Sequence, residues 1–224
     1  MESGKNQKRS VPCLLEREIN LPPEIRKSGL DSIWDMTFYL FVRLCHRYFN
    51  IPTVPARIVY YGRHYGQQTF FDTLGEFIDV VPVCVPMEKA PDQMDTIASL
   101  VRKLLAQIPE KNLNFVNLMY NNNSNAKWEK VSRLLFLPSP STPWLLFNFQ
   151  GNFSVDEIQK IKNLFNHNKT VKKFPKTQNN LLLFNVMYSA EKIYITLNCS
   201  YGYDHEKLMK ILREETERIF YNHK

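Results

Sequence analysis

Several motifs that identify a protein class directly are missing from this chain of 224 residues. Glycine occurs only seven times, and there is no glycine-rich phosphate loop, GxSxG nucleophile motif or HExxH zinc motif. The four cysteines, Cys13, Cys45, Cys84 and Cys199, are far apart and form neither a CxxC pair nor a Cys/His ligand set. The sequence therefore indicates no metal site and no disulfide framework, and it predicts reduced, cytosolic cysteines.

Long apolar runs are also missing. No run approaches the roughly 20 residues that a membrane-spanning helix needs, and the N-terminal segment MESGKNQKRS lacks the apolar centre of a signal peptide. We therefore expect a cytoplasmic protein without a membrane partner. The hydrophobic content of 44% is sufficient for the core of one domain or one large lobe.

The net charge of +7 favours acidic partners in general, such as nucleic acid, a membrane surface or an acidic carrier protein. However, the basic residues are spread over the termini and residues 169–176. They form no stripe interleaved with stacking aromatic residues, which single-strand binding proteins need. The charge pattern therefore predicts no nucleic-acid partner.

The first 29 residues differ in character from the rest of the chain. They are polar and are interrupted by Pro12, Pro22 and Pro23, which is typical of a linker or a surface arm rather than of a core element. We therefore predict a polar N-terminal arm over residues 1–29 and a single domain over residues 30–224.

Hydrophobic periodicity predicts helices and strands in alternation along that domain. Because the connections between the paired strands are too short for crossovers, we expect an α/β fold with a largely antiparallel or mixed sheet packed with helices. The predicted helices cover residues 31–49 and 91–108, a segment that starts at a Ser154/Glu157 capping box, and a segment that starts near Asp204; the predicted strands cover residues 57–61, 73–83, 143–153, 181–188 and 192–198.

The segment from Ile58 to Val85 carries two motifs at a defined spacing. A strand ends in Gly62-Arg63, and a GEF tripeptide at residues 75–77 is followed by Pro82-Val83. The segment resembles the condensation and epimerization domains of nonribosomal peptide synthetases. In these domains a strand ending in GR precedes an xGxFxxxxPV motif in the C-terminal lobe of a two-lobed, chloramphenicol-acetyltransferase-like fold. The resemblance implies that this chain is such a C-terminal lobe.

Two further segments are similar to the epimerization branch of that superfamily. Residues 108–115 are similar to its vPnkGxGYG stretch, with asparagines in place of glycines, and residues 147–151 match its FNYLGQF strand in register. The four motifs occur in the family's order between residues 30 and 221. The resemblance therefore covers nearly the whole chain and favours the epimerization branch over the condensation branch.

The chain lacks the residues to which the resembled family owes its chemistry. The superfamily's reactive histidine lies in an HHxxxD motif of the N-terminal lobe, and no two of the five histidines here are adjacent. Epimerization domains carry EGHGRE where this chain has residues 59–64, and Val59 replaces the first glutamate, the candidate proton-transfer group. Because valine cannot transfer a proton, we expect the chain to be inactive alone. Amide-forming condensation is expected only with an HHxxxD lobe.

The resemblance implies candidate contacts with the substrate tunnel or the carrier arm at Tyr61, Arg63, His64 and Asp79. Arg63 either forms an ion pair that fixes the strand end or contacts the phosphate of a carrier protein's pantetheine arm. His64, in the predicted loop between two glycines, is either a displaced base or a solvated side chain. For Asp79 we expect a hydrogen bond to the backbone, and burial would raise its pKa unless it is paired.

The aromatic residues around this segment also have two interpretations. They line an acyl tunnel, or they pack in the core or against a second lobe. The members of the group are Tyr60, Tyr61, Tyr65, Phe70 and Phe71.

The resemblance implies a role in nonribosomal peptide biosynthesis, including that of antibiotics. The lobe would shape the substrate tunnel and the site for the phosphopantetheine arm of a peptidyl carrier protein, with no cofactor of its own. The alternative is one half of a split acyltransferase or condensation enzyme whose HHxxxD lobe lies on another chain. Expected partners are a carrier protein, that N-terminal lobe, or neighbouring synthetase modules.

Overall fold

The computed structural model describes residues 13–28, 30–61, 64–65, 68–69, 78–87, 94–106, 143–167, 181–200 and 202–221. Within them, none of the helices is both long and apolar enough to cross a membrane. The elements are β1 (Cys13–Asn20), α1 (Pro23–Ser28), α2 (Leu30–Phe49), β2 (Thr53–Tyr61), β3 (His64–Tyr65), β4 (Gln68–Thr69), β5 (Ile78–Pro86), α3 (Met94–Ala106), β6 (Trp144–Asn152), α4 (Val155–His167), β7 (Leu181–Tyr188), β8 (Lys192–Cys199) and α5 (His205–Thr216), which continues as a π-helical turn (Glu217–Tyr221).

Six of the strands form one mixed sheet in the order β1-β8-β7-β6-β2-β5. The pairs β1–β8, β7–β8 and β2–β5 are antiparallel, whereas β2–β6 and β6–β7 are parallel. Helix α4 connects β6 to β7, as a parallel pair requires a crossover. The predicted α/β fold with a mixed sheet is confirmed, and so are the predicted strands over residues 57–61, 181–188 and 192–198 as parts of β2, β7 and β8.

One face of the sheet carries the main core. Helix α2 lies against this face, and its aromatic side chains surround Phe147 of β6, which is fully buried. The centre of the Phe147 ring lies 5.1 Å from that of Phe38, 5.6 Å from that of Phe41 and 6.0 Å from that of Phe184. The predicted amphipathic helix over residues 31–49 is thereby confirmed as the helix that covers the sheet.

An ionic cluster joins α2 to α5 beside this core. The carboxylate of Glu215 is 2% exposed, and it accepts hydrogen bonds from Arg43 (3.1 and 3.2 Å) and from Arg47 Nη1 (2.9 Å). Arg218 adds an ion pair at 3.3 Å, and Glu214 pairs with Arg47 at the surface. The cluster fixes two helices that lie far apart in the sequence, because Arg43 and Glu215 are 172 residues apart.

The interpretation of residues 1–29 as an arm without a core element is wrong for the part from residue 13 onwards. Strand β1 pairs with β8 along its whole length, from Cys13 opposite Cys199 to Asn20 opposite Lys192. Ile19, Leu21 and Ile25 are buried in the core. The prolines that indicated a linker flank the strand and do not interrupt it, so the strand keeps every backbone N–H that its partner needs.

The start of α4 has the predicted capping box. The Ser154 backbone N–H and hydroxyl both donate to Glu157 Oε2 at 2.8 Å, and the Glu157 N–H donates to Ser154 Oγ at 3.2 Å. Just before this helix, β6 has an irregular pairing with β7 between Phe149 and Gly151. Gly151 has a φ of 103°, which L-residues rarely adopt, so this glycine permits the local bend.

Both outer strands of the sheet resist the addition of a further strand. The Met87 N–H donates to the Pro52 carbonyl. Because successive N–H groups of a strand point to opposite sides, the even-numbered residues of β5 direct their backbone nitrogens away from β2. Two of these residues, Pro82 and Pro86, have no N–H to offer. At the opposite edge, β1 exposes Glu16 and Glu18. Proline and charge are the usual protection of strand edges.

Candidate functional site

The structure places the backbone of three predicted site residues. Tyr61 is the last residue of β2 and lies opposite Ile78, and Asp79 lies opposite Tyr60 in the same antiparallel pair. Tyr61 and Asp79 are therefore brought to the same end of the sheet. Their proposed contacts, like those of the aromatic group around them, stay predictions.

The other two predicted residues are His64 and Arg63, and the structure describes only His64. His64 belongs to a two-stranded ribbon, in which it pairs with Thr69 of β4. The interpretation of this position as a loop residue is therefore wrong for its backbone, which is held by strand pairing. Arg63 and residues 108–115 lie outside the described residues.

The position that matches the family's first EGHGRE glutamate lies on the face of the sheet opposite the main core. Val59 pairs with Val80 on β5 and with Asn148 on β6. All three are half-buried, whereas the neighbouring residues Ile58 and Phe147 point into the core and are buried. The sheet therefore presents a partly open patch centred on Val59.

A row of polar side chains extends from this patch across three strands. Asn148 Nδ2 donates to Asn185 Oδ1 at 2.9 Å, and Asn185 Nδ2 donates to Thr196 Oγ1 at 3.3 Å. Asn185 and Thr196 are each only 8% exposed. Glu16 lies opposite Thr196 on β1. Because buried polar groups need partners, the three side chains form a connected unit that ends at the open patch.

Sequence reasoning quoted the motif that contains Asn148 but missed the row. The available signal is a repeated Leu-Phe-Asn tripeptide, at residues 146–148 and 183–185, in which each asparagine directly follows a run of apolar residues. The structure pairs the two tripeptides residue for residue, with the phenylalanines in the core and the asparagines on the other face. A polar residue at the same place in two apolar strands therefore marked the row.

The patch also lies beside a buried cation. Arg57, two residues before Val59 on β2, is 4% exposed, and its guanidinium lies 4.9 Å from the centre of the Trp144 ring. Burial lowers the pKa of Arg57, but a guanidinium still carries its charge at neutral pH. This face therefore carries a buried arginine on β2 and an exposed glutamate, Glu16, on β1.

This arrangement supports binding rather than proton transfer. Carboxamides and a hydroxyl donate and accept hydrogen bonds, but they do not titrate near neutral pH. Among the described residues, no group of three or more His, Cys, Asp and Glu side chains is placed to hold a metal ion. The row supplies hydrogen-bonding groups beside Val59 and no acid or base.

A groove of about 330 Å3 lies apart from this patch, against α2 and α3. It is lined by Asp31, Trp34, Asp35 and Arg102. Burial raises the pKa of Asp35, and the ion pair with Arg102 opposes that effect. Trp34 contacts the core phenylalanines, so this groove lies on the opposite side of the sheet from Val59.

A glutamate at position 59 is expected to be tolerated. Val59 is only half-buried, so a carboxylate there reaches water. We expect Val59→Glu and its uncharged control Val59→Gln to unfold within about 1 kcal/mol of the wild type, as for most surface changes. Thermal melting at pH 7 measures this. A loss of more than about 2 kcal/mol in both variants would show that the patch is closed.

Known proteins share this architecture. No protein-family model and no curated protein matches the sequence. Solved structures do match. The epimerization domain from the third module of tyrocidine synthetase B aligns with a TM-score of 0.55 at 16% identity over 92% of this chain. The first condensation domain of the calcium-dependent antibiotic synthetase aligns with a TM-score of 0.50 at 12% identity over 96% of this chain. The PapA2 acyl transferase aligns with a TM-score of 0.53 at 13% identity over 99% of this chain.

The chain therefore has the fold shared by condensation domains, epimerization domains and related acyltransferases. It spans about half the length of these solved chains, namely 48% of the epimerization domain, 45% of the condensation domain and 47% of the acyl transferase. These alignments confirm the predicted resemblance as a statement about the fold. The half-length coverage agrees with a single lobe.

Proposed function

We propose that the chain is the C-terminal lobe of a condensation- or epimerization-like unit in nonribosomal peptide biosynthesis, without a complete catalytic set of its own. The patch around Val59 and Asn148 is one wall of the substrate tunnel. The observation that carries the proposal is the pairing of these two residues on a half-exposed sheet face. It puts a hydrogen-bonding side chain beside the position where epimerization-type motifs have a glutamate.

A carrier protein delivers the substrate on its phosphopantetheine arm. Tyr61 lies two residues after Val59 on β2, and Asp79 lies next to Val80 on β5. An arm that enters at this end of the sheet therefore reaches Val59. Arg63 and His64 follow directly in the sequence and are the proposed contacts for the arm's phosphate. The partners are thus a peptidyl carrier protein and neighbouring synthetase modules.

The chain alone is expected not to epimerize a carrier-bound amino acid. An aminoacyl-loaded carrier protein, incubated with the purified chain in deuterated buffer, is expected to show no α-proton exchange above the rate without the chain. Valine at position 59 and the uncharged row offer no base. Mass spectrometry of the released amino acid measures the exchange. Exchange that disappears in His64→Ala would contradict the proposal and make His64 the base.

A second candidate is one half of a split acyltransferase or condensation enzyme. It is favoured by the coverage of only 45–48% of the matched chains. Co-expression with an HHxxxD-bearing lobe from the same gene cluster is then expected to give a one-to-one complex that forms amide bonds between loaded carriers. Because position 59 is valine in the complex as well, epimerization should not appear. Failure to bind such a lobe would remove this candidate and leave the first.

A further inference from the structure

A second groove, the α4 groove, lies where two turns of the chain meet at the carboxyl ends of β6 and β7. It has a volume of about 550 Å3 and is lined by residues 152–155 and 189–191. The first wall joins β6 to α4, and the second wall is the turn between β7 and β8. This volume lies within the range of pockets that accept small ligands.

The two walls of the α4 groove are held in place by local hydrogen bonds. The Phe153 N–H donates to the Tyr188 carbonyl at 2.9 Å, which ties one wall to the other. In the turn, the Ser189 N–H donates to the Lys192 carbonyl at 2.8 Å, and Ser189 Oγ accepts from the Lys192 N–H at 3.2 Å. Phe153 also packs against the buried cluster that includes Ile158. Because the groove is already formed, a ligand has little ordering of the protein to offset.

The α4 groove exposes apolar surface on both walls. Val155 is 60% exposed, which is the largest value among the large apolar side chains of the described residues. Ala190 on the facing wall is also exposed, and Phe153 between them is half-buried. Removing such surface from water is favourable. The groove therefore offers an apolar contact to the side chain of a partner.

The charged groups beside the groove are acidic. Glu191 lines it, and Asp156 follows Val155 in the first turn of α4. Both are exposed, and neither carboxylate has an ion-pair partner in the described part of the chain. Glu157 is held by the capping box, and Lys160, one turn further, interacts electrostatically with Glu157. Although the chain has a net charge of +7, this groove attracts basic groups rather than acidic ones.

We propose that the α4 groove is a docking site for a basic peptide segment of a partner protein, in which an apolar side chain lies between lysines or arginines. The apolar side chain contacts Phe153, Val155 and Ala190, and the flanking cations lie near Asp156 and Glu191. An acidic segment, such as one from an acidic carrier protein, is disfavoured by like charge. The site is therefore separate in function from the proposed tunnel wall.

Three synthetic peptides test the kind of ligand. Acetyl-Lys-Leu-Lys-Leu-Lys-amide is expected to bind the full chain with a Kd of about 1 mM or lower at low salt. Serine in place of both leucines should weaken binding about fivefold or more, because apolar burial is lost. Glutamate in place of the lysines should abolish measurable binding. NMR titration measures all three, with shifts expected at the amides of Val155 and Ala190.

Variants of the groove separate the apolar contact from the charges. Val155→Ser should weaken the lysine–leucine peptide about fivefold at any salt concentration. The double variant Asp156→Asn, Glu191→Gln should weaken it about fivefold at about 20 mM salt and little at about 0.5 M, because exposed charges are screened. The matched controls are Leu14→Ser, a 37% exposed leucine on β1, and Glu206→Gln, an exposed carboxylate in the first turn of α5. Neither control should change the affinity.

The outcomes distinguish a docking site from an ordinary surface. The proposal is overturned by equal binding of the three peptides, by the absence of saturable binding, or by binding that no groove variant weakens. An equal loss in Glu206→Gln would overturn it as well, because the attraction would then come from the whole surface. Sedimentation velocity of the chain alone tests a second copy as the occupant. Self-association that Val155→Ser abolishes would replace the partner peptide by another copy of this chain.

Discussion

Replacing Glu215 with alanine is expected to lower the free energy of unfolding by about 3 kcal/mol or more. The carboxylate is 2% exposed and accepts hydrogen bonds from Arg43 and Arg47, with Arg218 at 3.3 Å. Removing it leaves arginine charges in and around a poorly solvated cluster between α2 and α5, and the loss of one member of a buried ion pair is among the costliest single changes. Urea denaturation of the purified variant measures the change.

Glu214→Ala is the matched control for this experiment. Glu214 is the next residue in the same helix, but its side chain is 44% exposed and it pairs with Arg47 at the surface. Exposed pairs contribute less than about 1 kcal/mol. Similar losses in the two variants would mean that the ionic cluster is solvated and that packing holds the helices together.

The pH dependence of stability follows from the same carboxylate. Burial raises the pKa of Glu215, but the hydrogen bonds and charges of the surrounding arginines outweigh burial and place it below the ordinary value of 4.5. A lowered pKa means that the stabilisation is present above the unfolded-state pKa and is lost as the pH falls through the folded-state pKa. The difference in melting temperature between wild type and Glu215→Gln should therefore shrink as the pH falls below 4.5.

Phe147→Ala is expected to cost about 3–5 kcal/mol. The Phe147 ring is fully buried and contacts aromatic rings from both α2 and β7. Its loss leaves a cavity where the helix meets the sheet, and close-packed interiors collapse only in part around such a cavity. Chemical denaturation measures this loss. An unchanged slope of the unfolding free energy against denaturant concentration would show that only stability is affected.

Phe149→Ala provides the comparison within the same strand. Phe149 is half-buried and stacks on Tyr188 at 5.7 Å near the irregular end of β6. Part of its surface already contacts water, so the expected loss is less than half of that for Phe147→Ala. Equal losses would contradict the placement of the core centre at Phe147.

Local patterns were sufficient to predict most helices and one hairpin. The apolar residues of α2 recur at helical spacing, and the Ser154/Glu157 pair marks the start of α4 within four residues. These signals depend on neighbours in the sequence. Strand β1 depends instead on a distant partner, because β8 begins at Lys192, more than 170 residues later. The prolines on either side of β1 also suggested a linker.

The site was predictable only in part, for the same physical reason. Motif spacing identified position 59 and the Gly62-Arg63 strand end. That Asn148 lies beside Val59 depends on the parallel pairing of β2 with β6, and the connection between Asn148 and Thr196 depends on two more pairings. Register between distant strands is set by the packing of whole faces, so it is not visible in a local pattern.

The protected edges of the sheet restrict the kinds of assembly that this chain can form. Pro82 and Pro86 remove donors along the outside of β5, and a second copy of β1 in antiparallel pairing would place Glu16 or Glu18 opposite a glutamate in its central registers. Repeated strand addition at these two described edges, one route to fibres, is therefore disfavoured. Self-association through the described part of the chain would then use the faces of the molecule rather than its strand edges. Concentrated solutions of the folded chain are consequently expected to show no thioflavin T signal.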